Sequence, residues 1–166
     1  MAKKKKIRKV KVAVSGGFDP LHIGHVRLFK EAKKLGDKLL VILNNDNWLK
    51  KKKGHVFMPE IERKEIIEAI SVVDEVVITS HPKKTKDMSV CEELEKICPD
   101  IFANGGDRFK DNIPEVVICE KIGCKMVFNV GDGGKIQSSS WLLLNNVKKL
   151  SRLKEAGKNH HKSHGK

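Results

Sequence analysis

The chain has 166 residues, 39% of them hydrophobic and 33% charged, which suits one domain of ordinary size whose core requires neither disulfides nor a structural metal. Its formal charge of +13 suggests a nucleic-acid binder until it is located: residues 1–11 hold seven Lys or Arg and no acid, residues 148–166 hold seven against Glu155, and the interior balances at zero. The body of the protein therefore lacks the signature of a basic nucleic-acid-binding domain. The organisation expected is a domain over 10–150 between basic tails at 1–9 and 151–166, the tails solvated, disordered and suited to solubility or loose, non-specific nucleic-acid contact.

Cys91, Cys98, Cys119 and Cys124 form no C-x-x-C pair and match no common zinc spacing, so they read as reduced thiols of a cytoplasmic protein, with no metal site expected. The apolar stretch from Val10 to Val14, interrupted by Lys11, is too short for a secretory core or a membrane span.

Val10, Val12 and Val14 predict a first strand running into Ser15-Gly16-Gly17. Helical spacing of Val26, Phe29 and Ala32 predicts a helix from about Gly24 to Gly36. Lys38 to Leu43 reads as a buried second strand, followed by a lysine-rich loop. A helix over Ile61 to Ile70 follows Pro59, with Ile66, Ile67 and Ile70 on one side, and Glu75 to Thr79 is the third strand. Val90 to Ile97 is helical until Pro99 ends it, Asp100 to Ala103 is the fourth strand, and Pro114 opens a helix over Glu115 to Ile122. Lys125 to Val130 is the fifth strand, and a last helix begins near Ser138 to Ser140. Strands alternating with helices predict an α/β fold, a doubly wound five-stranded parallel sheet of Rossmann-like form that binds ligands outside the carboxyl ends of its strands.

The first such end carries Gly16-Gly17-Phe18-Asp19-Pro20-Leu21-His22-Ile23-Gly24-His25. Histidines three apart at a helix start lie on one side, so His22 and His25 can face one phosphate; Gly24 leaves room beside them, and the helix amides favour an anion. The alternative is one histidine that caps or packs beside an accidental neighbour.

This ten-residue string resembles the first signature of the cytidylyltransferase-like nucleotidyltransferases, whose members include glycerol-3-phosphate cytidylyltransferase, archaeal-type FAD synthetase and heptose-phosphate adenylyltransferase. The resemblance runs from about Val10 to Lys149. It implies that Gly16, Gly17, Phe18, Asp19 and Gly24 belong to the nucleotide site, with His22 and His25 catalytic. Arg63, near the start of the second predicted helix, would reach the triphosphate or the substrate phosphate, unless it belongs to a surface ion-pair cluster of Glu60, Glu62, Arg63 and Lys64. From the lysine-rich loop, Lys50 or Lys53, and Lys53 first, would neutralise phosphate charge.

Asn104-Gly105-Gly106-Asp107 resembles the family's glycine-acid turn near the base and ribose, to which Asn104, Gly106 and Asp107 would contribute; a plain tight turn is the alternative. Gly134 to Ser140 resembles the second signature, with Ser138, Ser139 and Ser140 donating to phosphate or capping the last helix, and both roles are compatible. Gly133 stands where the cytidylyltransferases have an arginine, and Lys135 is expected to supply that charge.

The resemblance thus implies a nucleotidyltransferase that moves a nucleoside monophosphate from a triphosphate to a phosphorylated small molecule and releases pyrophosphate, with Mg²⁺ carried by the triphosphate. ATP with a sugar phosphate comes first. CTP with glycerol 3-phosphate or a similar alcohol phosphate is the runner-up, and FAD synthesis from FMN is third. The rival is a non-catalytic nucleotide- or RNA-binding module. A homodimer is compatible with the sequence.

Overall fold

The structure, a computed structural model, describes residues 8–106, 113–131 and 138–162, with side chains in the last stretch as far as Leu153. Five strands, β1 (Lys11–Gly16), β2 (Lys38–Leu43), β3 (Glu75–Ile78), β4 (Ile101–Ala103) and β5 (Lys125–Val127), form one sheet. All pairings are parallel and the order is β3-β2-β1-β4-β5. The order reverses between β1 and β4, which makes the gap at their carboxyl ends the place where such a sheet takes a ligand.

Alternation along β1 divides the core between two faces. Val12 and Val14 point into one cluster with Phe29 and Ala32 of α1 (Ile23–Lys33) and Ile67 of α3 (Glu60–Glu68). Ala13 points into the other, with Leu94 of α4 (Cys91–Ile97) and Cys119 of α5 (Glu115–Ile122). Because helices cover both faces, β2 is buried along Leu39 to Leu43 and reads as an unbroken apolar run. The doubly wound α/β sheet expected from the sequence is thus the fold observed.

The stretch after β2 differs from expectation. Asp46–Lys53 is a helix, α2, not a loop. The Asn45 side chain caps it by accepting from the Trp48 amide (3.0 Å), and Gly54, at φ +79, ends it in the left-handed conformation that costs other residues strain. Four consecutive lysines conceal it from a hydrophobic pattern, since only Leu49 of the helix is buried. On α3, Ile67 alone of the predicted face is fully buried, whereas Ile66 is exposed. β5 ends at Val127, two residues before Asn129 takes a positive φ of 57°.

The last helix, α6, covers Ser139–Lys162, so the chain assigned to a disordered C-terminal tail from 151 is helical through residue 162. No helix among the described residues is long and apolar enough to cross a membrane. The four cysteines are free thiols, Cys119 and Cys124 buried and Cys98 exposed.

Candidate active site

Phe18 organises the loop between β1 and α1. It takes a positive φ of 48°, and its buried ring meets His25 edge-on at 5.0 Å and Phe29 at 5.1 Å. Gly16 allows this, because a Cβ there would lie 2.8 Å from the tip of the Phe18 ring. Phe18 therefore fixes a catalytic-candidate ring from behind, a packing role that the family signature by itself does not reveal.

His22 caps α1: its Nδ1 accepts from the Gly24 amide at 3.1 Å, while the His22 amide donates to Nδ1 of His25 at 3.3 Å. The two rings stack with centroids 3.6 Å apart. Gly24 is required here, since a Cβ would lie 3.0 Å from the His22 ring. Both Nδ1 atoms accept, so each neutral imidazole carries its proton on Nε2 and presents it as a donor. Burial, then the neighbouring His22 and Lys53, lowers the pKa of His25 to about 3, and burial with Lys53 lowers that of His22. Near neutral pH the pair is thus two stacked N–H donors at a helix N-terminus whose first turn holds no acid, an arrangement whose charge and donors suit an anion.

Lys53 is the lysine that α2 delivers. Its Nζ donates to the Asp19 carbonyl at 2.7 Å, whereas Lys50 and Lys52 are exposed and Lys51 reaches the Thr85 carbonyl. Burial lowers the Lys53 pKa, with the Asp19 carboxylate raising it and Arg63 lowering it in smaller measure.

Asp19 and Arg63 hold the loops of the site together. The Asp19 carboxylate is fully buried and accepts from the amides of Phe57 (2.9 Å) and Met58 (2.7 Å), which ties the histidine loop to the segment before α3. Arg63 is 0% exposed and forms no surface ion pair with Glu60 or Glu62. Its guanidinium donates to the carbonyls of Met58 (2.8 Å), Gly17 (2.6 Å) and Asn44 (2.8 Å) and to Asp46 Oδ1 (2.7 Å). Four N–H groups spent on protein acceptors leave it a strut that joins β2, the histidine loop and α2. Gly17 contributes its carbonyl to that strut and lies against Leu49.

At the switch point Asn104 is buried. Its amide donates to the Val127 carbonyl (2.7 Å) and its carbonyl accepts from the Val130 amide (3.0 Å), so the turn at the end of β4 is held by β5 and the residues after it. Gly106 follows at φ +72. Asp107 and Lys135 lie outside the described residues. Ser139 is buried and donates to the Pro20 carbonyl at 2.9 Å, anchoring α6 on the histidine loop; the Ser138 carbonyl accepts from the Leu142 amide, and Ser140 is exposed. The serine segment thus reaches the histidine loop, but the Ser139 hydroxyl proton is committed to a carbonyl.

A second network escaped the sequence reading. His81 holds Thr79 Oγ1 (2.7 Å) and the Ser89 carbonyl (2.9 Å), and its own carbonyl accepts from Asn45 (2.8 Å) and Asn47 (2.9 Å) at the start of α2. It fixes the helix that carries Lys53. The only forewarning was Asn45, a capping residue type directly after a strand. Among the described residues no group of three or more His, Cys, Asp or Glu is placed to hold a metal ion.

A parallel α/β sheet with a stacked histidine pair at its first strand end gives the chain the architecture of a nucleotidyltransferase domain. It belongs to the cytidylyltransferase-like family, which matches residues 13–139. It is 40% identical over 102 residues to an FAD synthase of Pyrococcus horikoshii, covering 61% of this chain and 66% of that protein's length. A Thermococcus kodakarensis FAD synthase is 39% identical over 118 residues, covering 70% of this chain and 71% of that protein. The bifunctional protein HldE of Koribacter versatilis is 36% identical, covering 58% of this chain and 19% of that protein. Among solved structures, a lipopolysaccharide core biosynthesis protein from Thermoplasma volcanium superposes with a TM-score of 0.62 at 26% identity, covering 76% of this chain and all of that one.

Proposed function

We propose that the chain transfers the adenylyl group of ATP to the phosphate of a small phosphomonoester and releases pyrophosphate. The observation that carries this reading is the stacked, neutral histidine pair at the N-terminus of α1, with both protons on Nε2 and Lys53 beside it. An acceptor phosphate oxygen attacks the α-phosphorus, a bond forms between them, and the bond from the α-phosphorus to the bridging oxygen breaks, its electron pair leaving with pyrophosphate. The chain supplies position and charge stabilisation: two N–H donors, the amides of α1 and the Lys53 ammonium meet the negative charge that builds on the phosphoryl oxygens. Mg²⁺ rides on the triphosphate, keeping its waters and leaning on phosphate oxygens, so it needs no carboxylate cage.

The acceptor placed first is FMN, ahead of the sugar phosphate favoured on sequence. Relatives at 39–40% identity are named FAD synthase, and FAD is FMN joined to AMP. The test pairs ATP or CTP with FMN, a sugar 1-phosphate or glycerol 3-phosphate and measures pyrophosphate. Release with ATP and FMN is expected. Silence with every pair would overturn the reading.

A further inference from the structure

Two large apolar side chains on the histidine loop and on the segment hydrogen-bonded to it remain exposed: Ile23, at 52%, sits between His22 and Gly24, and Phe57, at 56%, lies in the segment that Asp19 holds. The Phe57 backbone is fixed to the histidine loop, since its amide and that of Met58 both donate to the buried Asp19 carboxylate at 2.9 and 2.7 Å. Lys53, four residues earlier, is tied to the same residue through the Asp19 carbonyl, and Arg63 holds the Met58 carbonyl from the other side. Asp19 precedes His22 by three residues, which keeps their Cα atoms within about 10 Å of each other. An aromatic ring open to solvent is thus carried on a backbone tethered to the histidine loop.

Val56, Phe57, Met58 and Ile23 offer no polar side-chain atom to the hydroxyls of a sugar. They suit a flat, apolar ring system that gains from stacking, on a backbone whose ordering cost is already met within the fold. We propose that Phe57 is the platform on which the planar ring of the acceptor stacks while the acceptor's phosphate reaches the histidine pair, so that the acceptor is a phosphomonoester carried on a fused aromatic ring by a short flexible spacer. The inference rests on the adenylyl-transfer reading with FMN as acceptor and adds the residue that holds the acceptor's ring.

The experiment compares wild type, Phe57→Ala and Phe57→Trp in two measurements, with thermal unfolding to confirm that each variant folds. In turnover, Phe57→Ala is expected to raise the KM for FMN about tenfold and leave the KM for ATP unchanged, while Phe57→Trp keeps the wild-type value. In equilibrium binding without ATP, Phe57→Trp should quench FMN fluorescence more strongly than wild type. An unchanged FMN KM in Phe57→Ala, or a bound flavin that the tryptophan does not quench, would overturn the platform. The two readings fail separately. Pyrophosphate release with a sugar phosphate and not with FMN would sink the platform and spare adenylyl transfer. Quenching by Phe57→Trp with no pyrophosphate from any acceptor would sink adenylyl transfer and support the platform.

Discussion

His22 and His25 determine each other's chemistry, because the backbone bonds at both Nδ1 atoms fix the tautomer while stacking and burial keep the rings neutral. On the proposed reading each donates to the phosphate, so His22→Ala or His25→Ala should lower turnover on the order of 10²-fold with the fold intact, and near-normal pyrophosphate release by both variants would contradict their role. Protonation gives an independent check. The pKa of His25 is held at about 3 in the fold against an ordinary 6.5. Between those values the unfolded chain binds a proton that the folded chain refuses, so stability is complete above about 6.5 and declines as pH falls towards 3. The urea midpoint of the wild type should therefore fall more steeply than that of His25→Ala between about pH 6.5 and 4.5; parallel curves would show that the ring is not held neutral. Arg63 belongs to the same scale. Removing a fully buried guanidinium from four acceptors should cost about 3–5 kcal/mol in Arg63→Ala, measured by denaturant unfolding, and lysine should not restore it because a point charge cannot span four directions.

Among the elements, α2 determines whether Lys53 reaches the site, and it depends on its two caps more than on a core face. Gly54→Ala, forced into a left-handed conformation, should lower stability by about 1–2 kcal/mol and weaken triphosphate affinity through Lys53, read by unfolding and by calorimetric titration with ATP. Adenosine affinity should stay the same; a matching loss for adenosine would place Lys53 away from the phosphates. The same helix shows what sequence reveals. β2, α5 and the start of α6 were legible because burial or a cap residue marked them, whereas α2 buries only Leu49 and is betrayed by Asn45 and Gly54 alone. The paired histidines were legible because one short string holds both. The roles of Asp19 and Arg63 were not, since each depends on partners as far as 39 and 46 residues distant that only the fold brings together.

At the scale of the whole molecule, the neutral interior and the basic ends separate the catalytic reading from nucleic-acid binding. Every described group of the site belongs to residues 16–63, 79–89, 104–106 or 138–140, between the charged extremities. Removing residues 1–6 and 155–166 should therefore leave pyrophosphate release nearly unchanged and abolish any salt-sensitive binding to RNA or DNA; loss of turnover would make the ends part of the site. The central claim concerns the fate of the α-phosphate, and a radiolabel placed there tests it most directly. With ATP labelled in its α-phosphate, FMN and magnesium, the label should appear in the acceptor product in step with unlabelled pyrophosphate, and His22→Ala should slow both together. Label recovered in ADP, with inorganic phosphate in place of pyrophosphate, would contradict the account.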